Sequence, residues 1–191
     1  MAPPTTKLRL SSIDPDQLGR DVEDQALRHV SRLALPLSPG ATVSVVDERD
    51  DVPRPSTTIG LTVRDLAAYA VRGEPLDDVV ESYMVDLLDV FSTPLGGDDA
   101  ELALILAGER EVDDLTETTV ADRLALVACA ALGRERLATN KPIRPSWLAA
   151  LAGVSSQQVR LLARTGDGLE RVDDGITAKS AKRWLRSRGA G

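Results

Sequence analysis

Only five of the 191 side chains are aromatic: one Phe, two Tyr and two Trp. Hydrophobic residues still make up 42% of the chain, so any core must be filled by Leu, Val and Ala. Leu and Ala favour helices, whereas strands and sandwiches draw on aromatic and β-branched residues. The expectation is a mostly α fold of one or two domains. Cys129 is the single cysteine and His29 the single histidine, which excludes an internal disulfide and a Cys- or His-rich metal site. Cys129, within ALVACAALG, reads as a small buried thiol, and His29 as a helix-surface residue.

Charge divides the chain. Residues 1–140 hold 13 Lys/Arg and 26 Asp/Glu, a net of −13, whereas residues 141–191 hold 10 and 4, a net of +6. An acidic body followed by a basic end reads as two functional parts: 1–139, acidic and mostly helical, and 140–191, basic. No apolar run approaches the roughly 18 residues of a membrane span. MAPPTTKLRLSSIDPDQ lacks the apolar core of a signal peptide. A cytoplasmic protein with no membrane partner is expected, and four Lys against nineteen Arg reads as the coding habit of a GC-rich bacterial genome.

Along the acidic part, Asp14 followed by Pro15 starts a helix running to Leu33, with Leu18, Val22, Ala26 and Val30 at helical spacing. ATVSVV (Ala41–Val46) reads as a strand, ERDDVPRPS as a charged loop, and TTIGL as a second strand pairing with the first. Thr62 with Asp65 resembles a capping box for a helix over Val63–Val71, closed by Gly73. Pro75 is expected to open a helix with an apolar stripe from Leu76 through Val80 and Met84 to Phe91. That stripe reads as core first and as a homodimer interface second. A short helix is expected over Asp98–Leu106. A long one, Thr116 to Leu137, carries Val120, Leu124, Val127, Ala131 and Leu132 on one side.

Asp pairs recur at Asp50-Asp51, Asp77-Asp78, Asp98-Asp99, Asp113-Asp114 and Asp173-Asp174. Paired carboxylates can hold a divalent cation or act as acid and base. Most of these sit beside helix starts, where capping and the helix dipole favour negative charge. With no phosphate-binding GxxxxGK[ST], no HExxH and no GxSxG, the expectation is a non-enzymatic protein without cofactor or metal.

The basic end carries the most specific pattern, WLAALAGVSSQQVRLLAR, Trp147 to Arg164. Asn140-Lys141-Pro142 and Arg144-Pro145 read as a stiff linker, with Ser146 capping a helix Trp147–Leu151. Ala149 lets two helices touch, and Gly153 takes the left-handed conformation that the corner requires. Ser155 or Ser156 caps the second helix, and Val159 and Leu162 turn inward. This spacing matches a helix-turn-helix. Ser155, Ser156, Gln157, Gln158, Arg160 and Arg164 then face outward. Gln can pair bidentately with adenine and Arg with guanine, while Ser can meet phosphate or base. The N-terminal end of such a helix meets the bases. Next, Leu169–Val172 and Ile176 flank Asp173-Asp174-Gly175, a tight-hairpin signal. Thr177 caps a last helix to Arg188, with Ile176 stapled onto Ala181 and Trp184 and Leu185 inward. Lys179, Lys182, Arg183, Arg186 and Arg188 are placed to neutralise phosphates.

The order of helical corner, short hairpin and ITAKSAKRWLRSRG resembles the winged helix-turn-helix domains of the MerR and phage-excisionase type. The resemblance covers about the last 50 residues. It implies binding to double-stranded DNA, with the second helix in the major groove and the wing near the backbone or minor groove. One departure is chemical: wings of that family are usually basic, whereas this one carries Glu170, Asp173 and Asp174 against Arg171. The expected function is a bacterial transcriptional regulator or DNA-associated accessory factor, with the acidic part serving self-association or partner contact. The alternative is an interaction subunit or adaptor of a larger bacterial complex, in which the corner docks protein.

Overall fold

The computed structural model describes residues 8–34, 55, 57–91 and 119–189. They form a mostly helical fold with one small two-stranded antiparallel sheet. After a 3-10 turn at Leu10–Ser12 come α1 (Pro15–Ala34), α2 (Thr58–Arg72), α3 (Val80–Phe91) and α4 (Val120–Ala138). The basic end supplies α5 (Pro145–Ala152), α6 (Ser156–Thr165), strands β1 (Arg171–Val172) and β2 (Gly175–Ile176), and α7 (Ala178–Ser187). Among the described residues no helix is long and apolar enough to cross a membrane.

Helix α1 starts as its sequence dictates. The Asp14 carboxylate accepts the N–H groups of Asp16 at 2.9 Å and Gln17 at 3.2 Å, satisfying first-turn donors that have no partner inside the helix. Leu18 and Val22 are fully buried.

The next segment differs from the expectation. TTIGL is not a strand: Thr57 is the N-cap of α2, its Oγ1 accepting the Gly60 N–H at 3.3 Å, and Thr58–Leu61 are helical. The two-stranded element expected in the acidic part is overturned for this half; its other half, ATVSVV, lies outside the described residues, as does Asp98–Leu106. The reason is tertiary. The buried Glu23 carboxylate of α1 accepts the Thr57 N–H at 2.7 Å, fixing the helix start five residues before the Thr62 capping box. Gly60 then meets Gly19 of α1, where a Cβ on Gly19 would lie 2.6 Å from the Gly60 carbonyl oxygen. Close backbone approach thus outweighs the β-branched local preference. Gly73 closes α2 as expected, at φ 72°.

Helix α3 begins at Val80 rather than at Pro75. Its first N–H groups are met from two directions. Asp78 Oδ1 accepts from Val79 at 2.7 Å, and Glu135 Oε1 of α4 accepts from Val80 at 3.0 Å. Burial, then the neighbouring Glu81, pushes the Glu135 carboxyl above the usual carboxylate range. Glu81 is pulled below it, chiefly by the hydrogen bond it shares with Glu135. Of the apolar stripe, Val80 and Met84 are buried while Val79 is 54% exposed; Val85, off the stripe, is 56% exposed.

Helix α4, capped by Thr119, is the centre of the first core. Every residue from Leu124 to Ala131 is buried, so it is enclosed on all sides rather than along the single face read from the sequence. A helix apolar all round belongs inside. Cys129 lies here, and burial pushes its thiol up to about 12. Arg134 ties α4 to the end of α2, its Nε donating to the Ala70 carbonyl at 2.8 Å. Arg123 pairs with Asp21 of α1 at 2.7 Å.

A second cluster gathers Leu137, Ile143, Leu148, Val159, Leu169, Ile176, Trp184 and Leu185. Trp147 and Leu151 pack against both clusters. Two guanidinium groups approach the Trp147 ring, Arg144 at 4.9 Å and Arg136 at 5.9 Å from its centroid, as the negative ring face attracts cations.

Candidate nucleic-acid interface

The corner between α5 and α6 is built by local rules. Pro145 occupies the first helical position of α5, with Arg144 as N-cap and no side-chain cap bond. Ser146 therefore lies inside the helix rather than capping it: proline fixes φ one residue earlier than expected and needs no acceptor. Ala149 and Leu148 are buried. Gly153 adopts φ 64° and donates its N–H to the Ala149 carbonyl, and Val154 donates to the same oxygen at 3.2 Å. A non-glycine residue pays a steric penalty in that left-handed conformation. Ser155 then caps α6, its Oγ accepting the Gln158 N–H at 3.2 Å. Val159 is fully buried and Leu162 packs beside it.

Gln157, Gln158 and Arg164 are exposed as expected, and Arg160 is half-buried. Ser156 does not face outward: only 1% of it is exposed. With Ser155 as the cap, Ser156 becomes the first helical residue. It lies three positions before Val159 and so shares the buried face.

The hairpin pairs Arg171 with Ile176 and Val172 with Gly175, leaving Asp173 and Asp174 as its two-residue connection. Its second strand is paired on both sides. Ile143 and Ile176 exchange two backbone hydrogen bonds of 2.9 Å each, so the segment read as a linker is joined to the hairpin, with Ile143 fully buried. Gly175, at φ 140°, permits this pairing, because a Cβ there would sit 2.4 Å from the Ile143 carbonyl oxygen.

Between α6 and the hairpin runs a groove of about 340 Å³. Arg160 and Arg164 line it from the helix, Arg171 and the two carboxylates Asp173 and Asp174 from the hairpin, and Ala163 and Ile176 are among its apolar walls. Arg171 is the site residue that sequence reasoning missed. Its signal was the strand position facing Ile176, not its charge. Planar guanidinium forks match phosphate oxygens two at a time, so three of them around one groove suit an anion, and the two carboxylates oppose it.

The cations of α7 stand apart from this groove. Thr177 caps the helix through Ser180, and the buried Ser180 hydroxyl accepts the Glu170 N–H at 3.0 Å, tying the helix to the hairpin entry. Lys179 is exposed. Lys182 Nζ donates to Asn140 Oδ1 at 2.7 Å, and Arg183 lies 3.6 Å from the Glu170 carboxylate. Trp184 and Leu185 are buried as expected, with Arg188 stacked 5.0 Å from the Trp184 ring centroid.

The expected phosphate ligands Lys179, Lys182 and Arg183 and the expected base readers Ser155, Gln157 and Gln158 thus lie outside the groove lining, and Arg160 and Arg164 within it. Of the Asp pairs, only Asp77-Asp78 and Asp173-Asp174 fall among the described residues, at a helix start and a hairpin connection. Compared with known protein families, with characterised proteins and with solved structures, the chain shows no match.

Proposed function

We propose that residues 140–191 form a winged helix-turn-helix of the MerR and phage-excisionase type that binds double-stranded DNA. In this reading α6 enters the major groove, and the protein acts as a bacterial transcriptional regulator or DNA-associated accessory factor. The observation that carries the proposal is a coincidence in one place. The tight corner at Gly153 presents a helix whose exposed face bears Gln157 and Gln158, and whose other flank meets Arg171 of the hairpin across a cationic groove. The helix N-terminus supplies base-reading amides, and the groove supplies guanidinium groups for phosphates that fix the register. A homodimer through the acidic part would supply two such heads, the common solution for a reader that spans few base pairs.

A second reading, an adaptor that docks protein, is favoured by two features: the Asp173 and Asp174 carboxylates beside the groove and the exposed Val79, just before α3, and Val85, within it. Titration of the full chain against random-sequence duplexes at rising salt separates the two. Binding through several phosphates weakens steeply and linearly on logarithmic axes, whereas a chain that ignores duplexes at low salt is not a DNA-binding protein.

A further inference from the structure

Among the described residues, the most exposed large apolar side chain is Leu161, at 61%. It lies on α6 four residues after Gln157, three after Gln158 and three before Arg164, spacings that put these side chains on one helix face. The remaining neighbour on that face, Thr165, bonds through its hydroxyl to the Leu161 and Leu162 carbonyls at 3.2 Å each and to the Asp167 carboxylate at 3.0 Å, so Leu161 is an apolar spot among polar neighbours. Isolated exposed leucines are common. This one is set apart by sitting in the middle of the face that carries the candidate base readers.

We infer that Leu161 is a specificity-determining residue that packs on the 5-methyl group of thymine in the major groove. The inference rests on the DNA-binding reading above and deepens it by naming the chemistry of the target: sites holding A·T pairs. The thymine methyl is the one apolar group on the major-groove edges of the four base pairs. A leucine carried into that groove and set against a polar edge would cover donors and acceptors without pairing them, which costs affinity. Beside it, Gln157 and Gln158 carry the amide that pairs with adenine N6 and N7. One face of α6 can therefore read both halves of an A·T step, adenine by hydrogen bonds and thymine by contact.

The test uses duplexes recovered by full-length protein from a random pool, resynthesised with deoxyuridine replacing thymidine one position at a time. That change removes the methyl and leaves base pairing intact. At the contacted position the parent should lose about fourfold in affinity, as expected for one buried methyl. Leu161→Ala should bind the thymidine duplex with a similar loss and show no further loss with deoxyuridine. Leu161→Met, which keeps an apolar contact, should retain the thymidine preference. If Leu161→Ala keeps the parent's affinity, or loses as much as the parent on deoxyuridine exchange, Leu161 reads no methyl, although DNA binding itself stands. If no duplex is recovered at all, the DNA-binding reading fails and takes this one with it.

Discussion

The two hydrophobic clusters solve the same shortage of aromatic side chains in different ways. The first, around α4, is built mainly of Ala, Val and Leu, with Tyr69 and Tyr83 only at its edge, and it gains density by bringing backbones together, as where Gly19 meets Gly60. The second holds Trp184 and, at its seam with the first, Trp147. It is stitched by polar detail: the Ser155 and Thr177 caps, Ser180 on the Glu170 N–H, and the paired Ile143 and Ile176. The first arrangement gives a solid body, in which α4 is enclosed on every side. The second keeps its larger side chains and capped turns for holding a helix and a hairpin at a fixed separation, which a groove between them requires.

The sharpest way to break this contrast is at Ile143. Ile143→Ala removes a fully buried side chain of the second cluster, at the residue whose backbone joins linker to hairpin. It should cost about 2–5 kcal/mol in denaturant unfolding and abolish DNA binding with it. Gly19→Ala tests the first cluster by sign. In a solvent-facing helix the change would stabilise by roughly 0.5–1 kcal/mol. Here the added carbon would meet the Gly60 carbonyl oxygen and Pro55, so a loss of about 1–3 kcal/mol is expected from overpacking, read in the same unfolding experiment.

Changes on the exposed face of α6 should leave stability alone. Gln158→Ala should cost about 1–3 kcal/mol in binding to a selected duplex, with an unchanged unfolding midpoint; Arg160→Ala, in the half-buried groove lining, should cost a similar amount in binding. If the double variant bound that duplex like the parent, the base-reading assignment would be wrong.

Alkali should find the first cluster. Folding holds the Cys129 proton to about pH 12, while the unfolded thiol releases it near its ordinary value of 9. The unfolded state therefore gains as pH rises between these values. The linked loss is on the order of 1 kcal/mol by pH 10, and Cys129→Ala should remove that part of the pH dependence. The smallest effect belongs to the hairpin tip. Asp173→Asn with Asp174→Asn removes two charges beside the guanidinium groups, and duplex affinity should rise about two- to threefold at low salt, as weak exposed electrostatics allow.

How much of this was legible depended on how local the cause was. The α5–α6 corner could be read because Ala149, Gly153, Ser155 and Val159 each answer a requirement set within a few residues. The same holds for Asp14, Thr177 and the turn at Asp173-Asp174. The start of α2 could not be read, because Glu23 and Gly19, more than thirty residues earlier, override the strand-like Thr57–Leu61. Ile143 was hidden by the prolines at positions 142 and 145, which suggest a spacer, although a large β-branched residue between them has little reason to face water. Ser156 and Arg171 were misjudged for a shared reason: a shift of one position in a cap, or the facing of one strand residue, decides which side of an element is presented.

The seam at Trp147 and Leu151 bears on where this chain could be cut. Excising the basic end at residue 140 would take away Leu137 and the α4 surface on which both side chains rest. The fragment would then carry an oily scar where Trp147 and Leu151 had packed. Such a piece would cling to other molecules for reasons unrelated to sequence reading, so the intact polypeptide is the proper reagent for judging what α6 recognises.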